Sequence, residues 1–118
     1  MGEIHYSRVS GGRWEEELYK MKAGGIDLVS AYTIWIHHEE VEGEWDFSGD
    51  RDLRRFLQTI KNCGLHCVLR IGPWAHGEVR NGGFPDWLVE KEKEGELVTR
   101  TNDPEYLRFV REFYGKIA

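Results

Sequence analysis

LRIGPWAHGEVRNGGFPDWL, residues 69–88, decides how this chain is read. A hydrophobic run, Cys67-Val68-Leu69-Arg70-Ile71, leads straight into Gly72-Pro73-Trp74. The following residues hold His76, Glu78 and Arg80 between glycines, and an amphipathic turn, Phe84-Pro85-Asp86-Trp87-Leu88, comes next. Titratable and aromatic side chains are thus gathered just past the carboxyl end of a strand expected to be buried. In α/β folds with parallel strands, that is where ligands sit.

Outward from this stretch, strand and helix patterns alternate. Residues 3–9 read as a short strand with Ile4 and Tyr6 on one face and His5 and Ser7 on the other. Residues 13–23 read as a helix, with Trp14, Leu18 and Met21 at i, i+4 and i+7 and Gly24-Gly25 as its stop. Residues 26–33, IDLVSAYT, have the β-branched, apolar character of a parallel strand buried on both faces. A Glu-rich loop is expected over residues 36–49. Ser48 or Asp50 then caps a helix over residues 51–62, whose core stripe is Leu53, Phe56, Leu57 and Ile60. Gly64 ends that helix, and residues 66–71 form the third strand. Pro85 opens a short helix, and residues 90–96 are a solvated, charged surface. Asn102-Asp103-Pro104 opens a last helix with Leu107, Val110 and Phe113 or Tyr114 facing inward.

The order β-α-β-α-β-(short α)-α implies an α/β fold with a parallel sheet and right-handed crossovers. Periodicity alone does not choose between a doubly wound sheet and a (β/α) barrel. A nucleotide-binding reading lacks its signature, for there is no G-x-G-x-x-G after a strand and no G-x-x-x-x-G-K-[ST]. A complete (β/α)8 barrel takes about 250 residues. At 118 residues the chain has room for one domain with a core, but three strands cannot close a barrel. The chain reads as a piece of a larger fold.

Composition narrows the partners. A net charge of −5 without a Lys/Arg run argues against nucleic acid, and no apolar stretch is long enough to span a membrane. The opening residues, Met1-Gly2-Glu3-Ile4-His5, show no signal-peptide pattern. Cys63 and Cys67 make no disulfide framework, and Cys67, in an apolar run, is expected as a buried thiol. A reduced, cytoplasmic setting is the expectation.

Several long motifs, in order, carry a resemblance. GEIHYSR from Gly2, WEEELYKMKAGGIDLVSAY from Trp14, WIHHEEVEGEWDFSGDRDL from Trp35, LRIGPWAHGEVRNGGFPDWL from Leu69 and RTNDPEYL from Arg100 together resemble glycoside hydrolase family 35, the β-galactosidase family. The resemblance implies a retaining glycosidase on a (β/α)8 barrel, with residues 1–118 as the N-terminal part of its catalytic domain. It implies a galactoside as substrate and no cofactor or metal. It further implies that Tyr32, ending strand 2, contacts the galactose ring. Glu78 matches a glutamate that hydrogen-bonds galactose hydroxyls, and His76 and Gly77 match positions that touch the sugar partly through backbone. A carboxylate accepting from two neighbouring hydroxyls makes strong bonds, which is how a site tells one epimer from another. The two catalytic glutamates follow strands 4 and 7 in the family, so neither is expected here and Glu78 is not one of them. The matched region begins at Gly2, inside what would be strand 1.

There are departures. Many members have Asn where this chain has Ile36, Pro or Phe at Ile34, Trp at Val79, and Cys or Asn at His76. They mark a divergent branch. Judged by pattern alone, Glu78 is a solvated loop glutamate and Tyr32 a core or rim aromatic; the register of the motifs turns both into sugar contacts. His37-His38-Glu39-Glu40 reads as loop packing and surface charge, since adjacent loop residues rarely converge on one ion. His5 reads as a hydrogen-bonded barrel residue. Arg70 is expected to point into the barrel and to need a carboxylate from another strand. Alternative roles are a non-catalytic fragment acting as a weak sugar-binding or assembly module, completed by the rest of the barrel or by a second copy, and a different TIM-barrel glycosidase.

Overall fold

The computed structural model describes residues 1–118. In chain order its elements are β1 (Gly2–Glu3), α1 (Trp14–Ala23), β2 (Leu28–Tyr32), α2 (Trp35–His38), α3 (Leu53–Asn62), β3 (His66–Arg70), α4 (Asp86–Lys93) and α5 (Pro104–Ile117). Two compact units form, Met1–Thr33 with Asp46–Arg70, and Ile34–Trp45 with Ile71–Ala118.

The first unit is a three-stranded parallel sheet in the order β1-β2-β3, with α1 and α3 in the connections. This is the α/β arrangement that alternating patterns lead to, because parallel neighbours need long crossovers. The register pairs Glu3 with Ser30, Ser30 with Val68 and Tyr32 with Arg70. Paired residues project from the same face, and the faces alternate along each strand. Glu3, Ser30, Tyr32, Val68 and Arg70 therefore share one face, and Val29, Ala31, Cys67 and Leu69 share the other. Val29 and Ala31 are fully buried.

Two strand expectations need correction. The first strand ends at Glu3 rather than at residue 9. Ile4 N–H still bonds Ser30 O at 3.0 Å, but Arg8 N–H then bonds back to His5 O at 3.0 Å and Tyr6–Arg8 coil into a single 3-10 turn. The reason is aromatic packing: Tyr6 is completely buried, with its ring 5.1 Å from Phe56 and 6.3 Å from Trp14. That burial pushes the Tyr6 phenol well above its ordinary pKa. The third strand is not buried either. It pairs on one side only, and Val68 is 45 % exposed. Cys67 is accordingly half-buried rather than buried, and Cys63 is the buried thiol.

The expected helix stripes hold in the first unit. Trp14 and Leu18 of α1 and Leu53, Phe56 and Ile60 of α3 are buried, with Met21 and Leu57 at the margin. The cap of α3 is neither Ser48 nor Asp50. Residues Gly49–Arg51 take a 3-10 turn, so the helix starts later and the Asp52 carboxylate accepts Arg55 N–H at 2.9 Å. Asp50 instead accepts Gly11 N–H at 2.8 Å.

The second unit is an aromatic core wrapped by α2, α4 and α5. Trp35 lies at its centre, stacked on Phe113 at 4.9 Å and meeting Phe84 and Trp87 edge-on at 6.0 and 6.1 Å. Leu88, Leu97, Tyr106, Phe109 and Val110 complete it. The stretch expected to be loop thus begins with a helical turn, α2. Two bonds to one carboxylate stabilise it: Trp35 Nε1–H donates to Glu39 Oε1 and Gly43 N–H to Oε2, each at 2.8 Å. The last helix starts as expected, with Asp103 accepting Glu105 N–H at 3.0 Å and Pro104 in its first turn. Its buried face is Tyr106, Phe109, Val110 and Phe113, while Leu107 is only half-buried. No helix is long and apolar enough to cross a membrane.

Candidate functional site

Tyr32 belongs to the first unit, at the carboxyl end of β2. Because Tyr32 and Arg70 are register partners, the arginine lies beside the ring, and its guanidinium carbon sits 3.7 Å from the ring centroid. That spacing is a cation–π stack. Arg70 also pairs with Glu3 of β1, so the carboxylate from another strand that a strand arginine requires is present. On the other side of Tyr32, its backbone N–H donates to His5 Nδ1 at 3.1 Å. The two rings lie 5.4 Å apart, and His5 Nε2 is 3.9 Å from the same Glu3. His5 lies outside the strand, yet it is hydrogen-bonded as its reading required. Burial, helped by the neighbouring Arg8 charge, lowers its pKa below the ordinary value. An accepting Nδ1 must be unprotonated, so geometry and electrostatics agree on a neutral ring.

His76, Gly77 and Glu78 belong to the second unit and are all exposed. Their loop is closed at its base by Ala75 N–H to Gly82 O at 2.8 Å, and Val79 N–H returns to Gly77 O at 2.8 Å near the tip. Asn81 and Gly82 both take positive φ, 51° and 61°. Gly82 is required twice over, since a Cβ there would also overlap the Trp74 ring. Trp74 in turn meets Phe84 edge-on at 5.3 Å and His76 at 6.1 Å, and the Arg100 guanidinium lies 4.6 Å from its centroid. Tyr114 Oη donates to Gly72 O at 2.8 Å, fixing the loop's first residues to α5. A salt bridge at 2.8 Å between exposed Arg80 and Asp86 ties the loop to α4.

Sequence reasoning named Tyr32, His76, Gly77 and Glu78, and the last three stand together on one loop tip. It did not find the seat of that loop, Trp74 on Gly82 with Arg100 above. The only signal for it was the Gly82-Gly83 pair. Nor did the His37-His38-Glu39-Glu40 run announce that His38 and Glu39 are buried, at 0 % and 2 % exposure, whereas Glu40 is exposed. Burial raises the pKa of Glu39, against the bonds from Trp35 and Gly43 that favour its charged form. No group of three or more His, Cys, Asp or Glu side chains is arranged to hold a metal ion. Chemically, the loop tip offers an exposed carboxylate and imidazole, and the strand ends offer an aromatic ring, a cation and a neutral imidazole. Both sets suit polyhydroxylated ligands, which pair hydroxyls with charged groups and lay C–H faces on rings.

Comparison with known proteins identifies the family. The chain is 42 % identical over 106 residues to a beta-galactosidase of Mus musculus, covering 90 % of this chain and 16 % of that protein. It is 40 % identical over 114 residues to the beta-galactosidase of Homo sapiens, covering 97 % of this chain and 16 % of that protein. An exo-beta-D-glucosaminidase of Pyrococcus horikoshii is 42 % identical over 97 residues, covering 79 % of this chain and 12 % of that protein. The chain thus spans about a sixth of the length of the beta-galactosidases it matches. The match to the family Glycosyl hydrolases family 35 runs over residues 1–118, and the chain belongs to that family.

Proposed function

We propose that residues 1–118 form the sugar-recognition part of a retaining β-galactosidase barrel that removes terminal β-D-galactosyl residues. The observation that carries this reading is the family match over the whole chain, with beta-galactosidases 40 % identical across 97 % of it. The sheet supports it too. Its Glu3, Ser30, Tyr32, Val68 and Arg70 face has the polar strand ends and the uncovered mid-strand valine that a barrel-lining face would have. Tyr32, His76, Gly77 and Glu78 would contact the galactosyl unit, Glu78 as an acceptor for its hydroxyls. Retention needs two carboxyl groups about 5 Å apart. In this reading they follow strands 4 and 7, and Glu78 is neither of them.

A second reading is favoured by one finding. The exo-beta-D-glucosaminidase matches at the same 42 % identity as the mouse beta-galactosidase, and the loop departs from the common family pattern at His76 and Val79. The sugar would then be a β-glucosaminyl unit held by the same residues.

Assay of the gene's full translation product on p-nitrophenyl β-D-galactoside and β-D-glucosaminide separates the two. The galactoside is expected to give the higher kcat/KM, and Glu78→Gln to lower it roughly 10- to 100-fold. Preference for the glucosaminide would establish the second reading. An unchanged kcat/KM in Glu78→Gln would remove Glu78 from the site.

A further inference from the structure

Tyr32 is gripped by residues that the sugar-contact reading leaves unused. His5 Nδ1 accepts its backbone N–H at 3.1 Å, and the Arg70 guanidinium carbon lies 3.7 Å from its ring centroid. The next residue, Thr33, donates its N–H to Arg70 O at 2.9 Å, so backbone and side chain of Arg70 both act on this strand end. Glu3 closes the circuit, paired with Arg70 and 3.9 Å from His5 Nε2. The four residues come from the ends of β1, β2 and β3 and from the turn after β1; the register pairs Tyr32 with Arg70, and side chains reach across for the other contacts.

The guanidinium's orientation says what the circuit is for. Its Nε and Nη2 are both buried without a hydrogen bond, although Nη2 stands against Glu3 as an ion pair. A guanidinium oriented for ion pairing alone would present its fork of donors to oxygen. This one sets its guanidinium carbon over the phenol ring, 3.7 Å from the centroid, and leaves Nε without an acceptor. Nor does the ion pair add much to folding, because the Arg70 and Glu3 side chains are 38 % and 50 % exposed and such pairs are screened. What the arrangement does hold is the Tyr32 ring and its backbone N–H.

We infer that Arg70, oriented by Glu3, and His5 are positioning residues that hold the Tyr32 phenol for sugar recognition. The inference rests on Tyr32 being a sugar contact, and it adds that the contact is pre-organised by a cation rather than by packing. Pre-organisation saves the cost of ordering a side chain on binding, so its loss should fall on KM before kcat.

A double-mutant cycle in the gene's full translation product tests this on p-nitrophenyl β-D-galactoside. Tyr32→Phe removes the hydroxyl and should lower kcat/KM about 10-fold; Arg70→Gln should match that loss, mostly through KM. The double variant should then lose little more than either single one. Arg70→Lys keeps the charge without the plane and should recover only part of the loss. Glu3→Gln, a milder change, should raise KM about 2- to 5-fold and keeps the test alive if Arg70→Gln fails to fold. Losses that multiply in the double variant would overturn the positioning role while leaving Tyr32 as a sugar contact. Full activity of Tyr32→Phe would overturn the sugar contact itself, and the positioning role with it.

Discussion

Tyr32 and Glu78 are both proposed to meet the same sugar, and the chain holds them by different means. Tyr32 sits on a ladder whose register delivers Arg70 to its ring, with His5 on its amide. Glu78 stands at an exposed loop tip, and the order there comes from the base, through Ala75 to Gly82 and Trp74 on Gly82. A strand end inherits its geometry from the sheet. A loop tip inherits it from the contacts at its base, and a Cβ added at Gly82 would disturb them.

The largest expected effect follows from that last point. Gly82→Val places a branched side chain at φ 61° and into the Trp74 ring. It should cost roughly 2–4 kcal/mol of stability in urea unfolding, from backbone strain and overpacking together. Hydrogen exchange should show faster opening at Ala75 with Tyr32 unchanged. Equal acceleration at both amides would mean that the strand end and the loop are not held separately.

The next effect is pH-dependent and falls on the strand end alone. Burial and Arg8 keep the His5 pKa below its ordinary 6.5. Between the folded value and 6.5 the unfolded chain binds more protons, so stability rises with pH through that window. The contribution is complete above 6.5 and is lost as pH falls through the folded value. Protonation also ends the acceptance of Tyr32 N–H by Nδ1. Tyr32 protection, corrected for intrinsic exchange, should therefore drop over that descent while Ala75 protection holds. A Tyr32 amide indifferent to pH would show that His5 does not hold it.

The smallest effect should come from the loop's surface tie. Arg80 and Asp86 are 68 % and 58 % exposed, so Arg80→Ala should change stability by less than about 0.5 kcal/mol. A larger loss would mean that the loop depends on its rim as well as its base.

Much of this was legible in the sequence where a period of apolar residues decides the outcome. The stripes of α1 and α3 and the opening of α5 at Asp103-Pro104 are of that kind. What escaped depends on contacts between distant residues. Tyr6 leaves the sheet because Trp14 and Phe56 bury its ring, and alternation along residues 3–9 carries no sign of that. The α2 turn depends on an indole bonded to Glu39, and Cys67 is half-buried because β3 has a neighbour on one side only. At the site, motif register singled out Tyr32, His76, Gly77 and Glu78, and the need of a strand arginine for a carboxylate was sound. That Glu3 would supply it, and that the guanidinium would lie over the Tyr32 ring, required the register of three strands.

The central claim is that Glu78 recognises hydroxyls and performs no chemistry, and one measurement meets it directly. Wild type and Glu78→Gln, each as the gene's full product, should be compared on p-nitrophenyl β-D-galactoside and its monodeoxy analogues, with and without azide. Glu78→Gln should lose roughly 10- to 100-fold in kcat/KM on the parent galactoside. It should lose little on the analogue lacking the hydroxyl that Glu78 binds, and azide should rescue nothing. A loss beyond about 10⁴-fold that azide restores would make Glu78 the nucleophile and contradict the account.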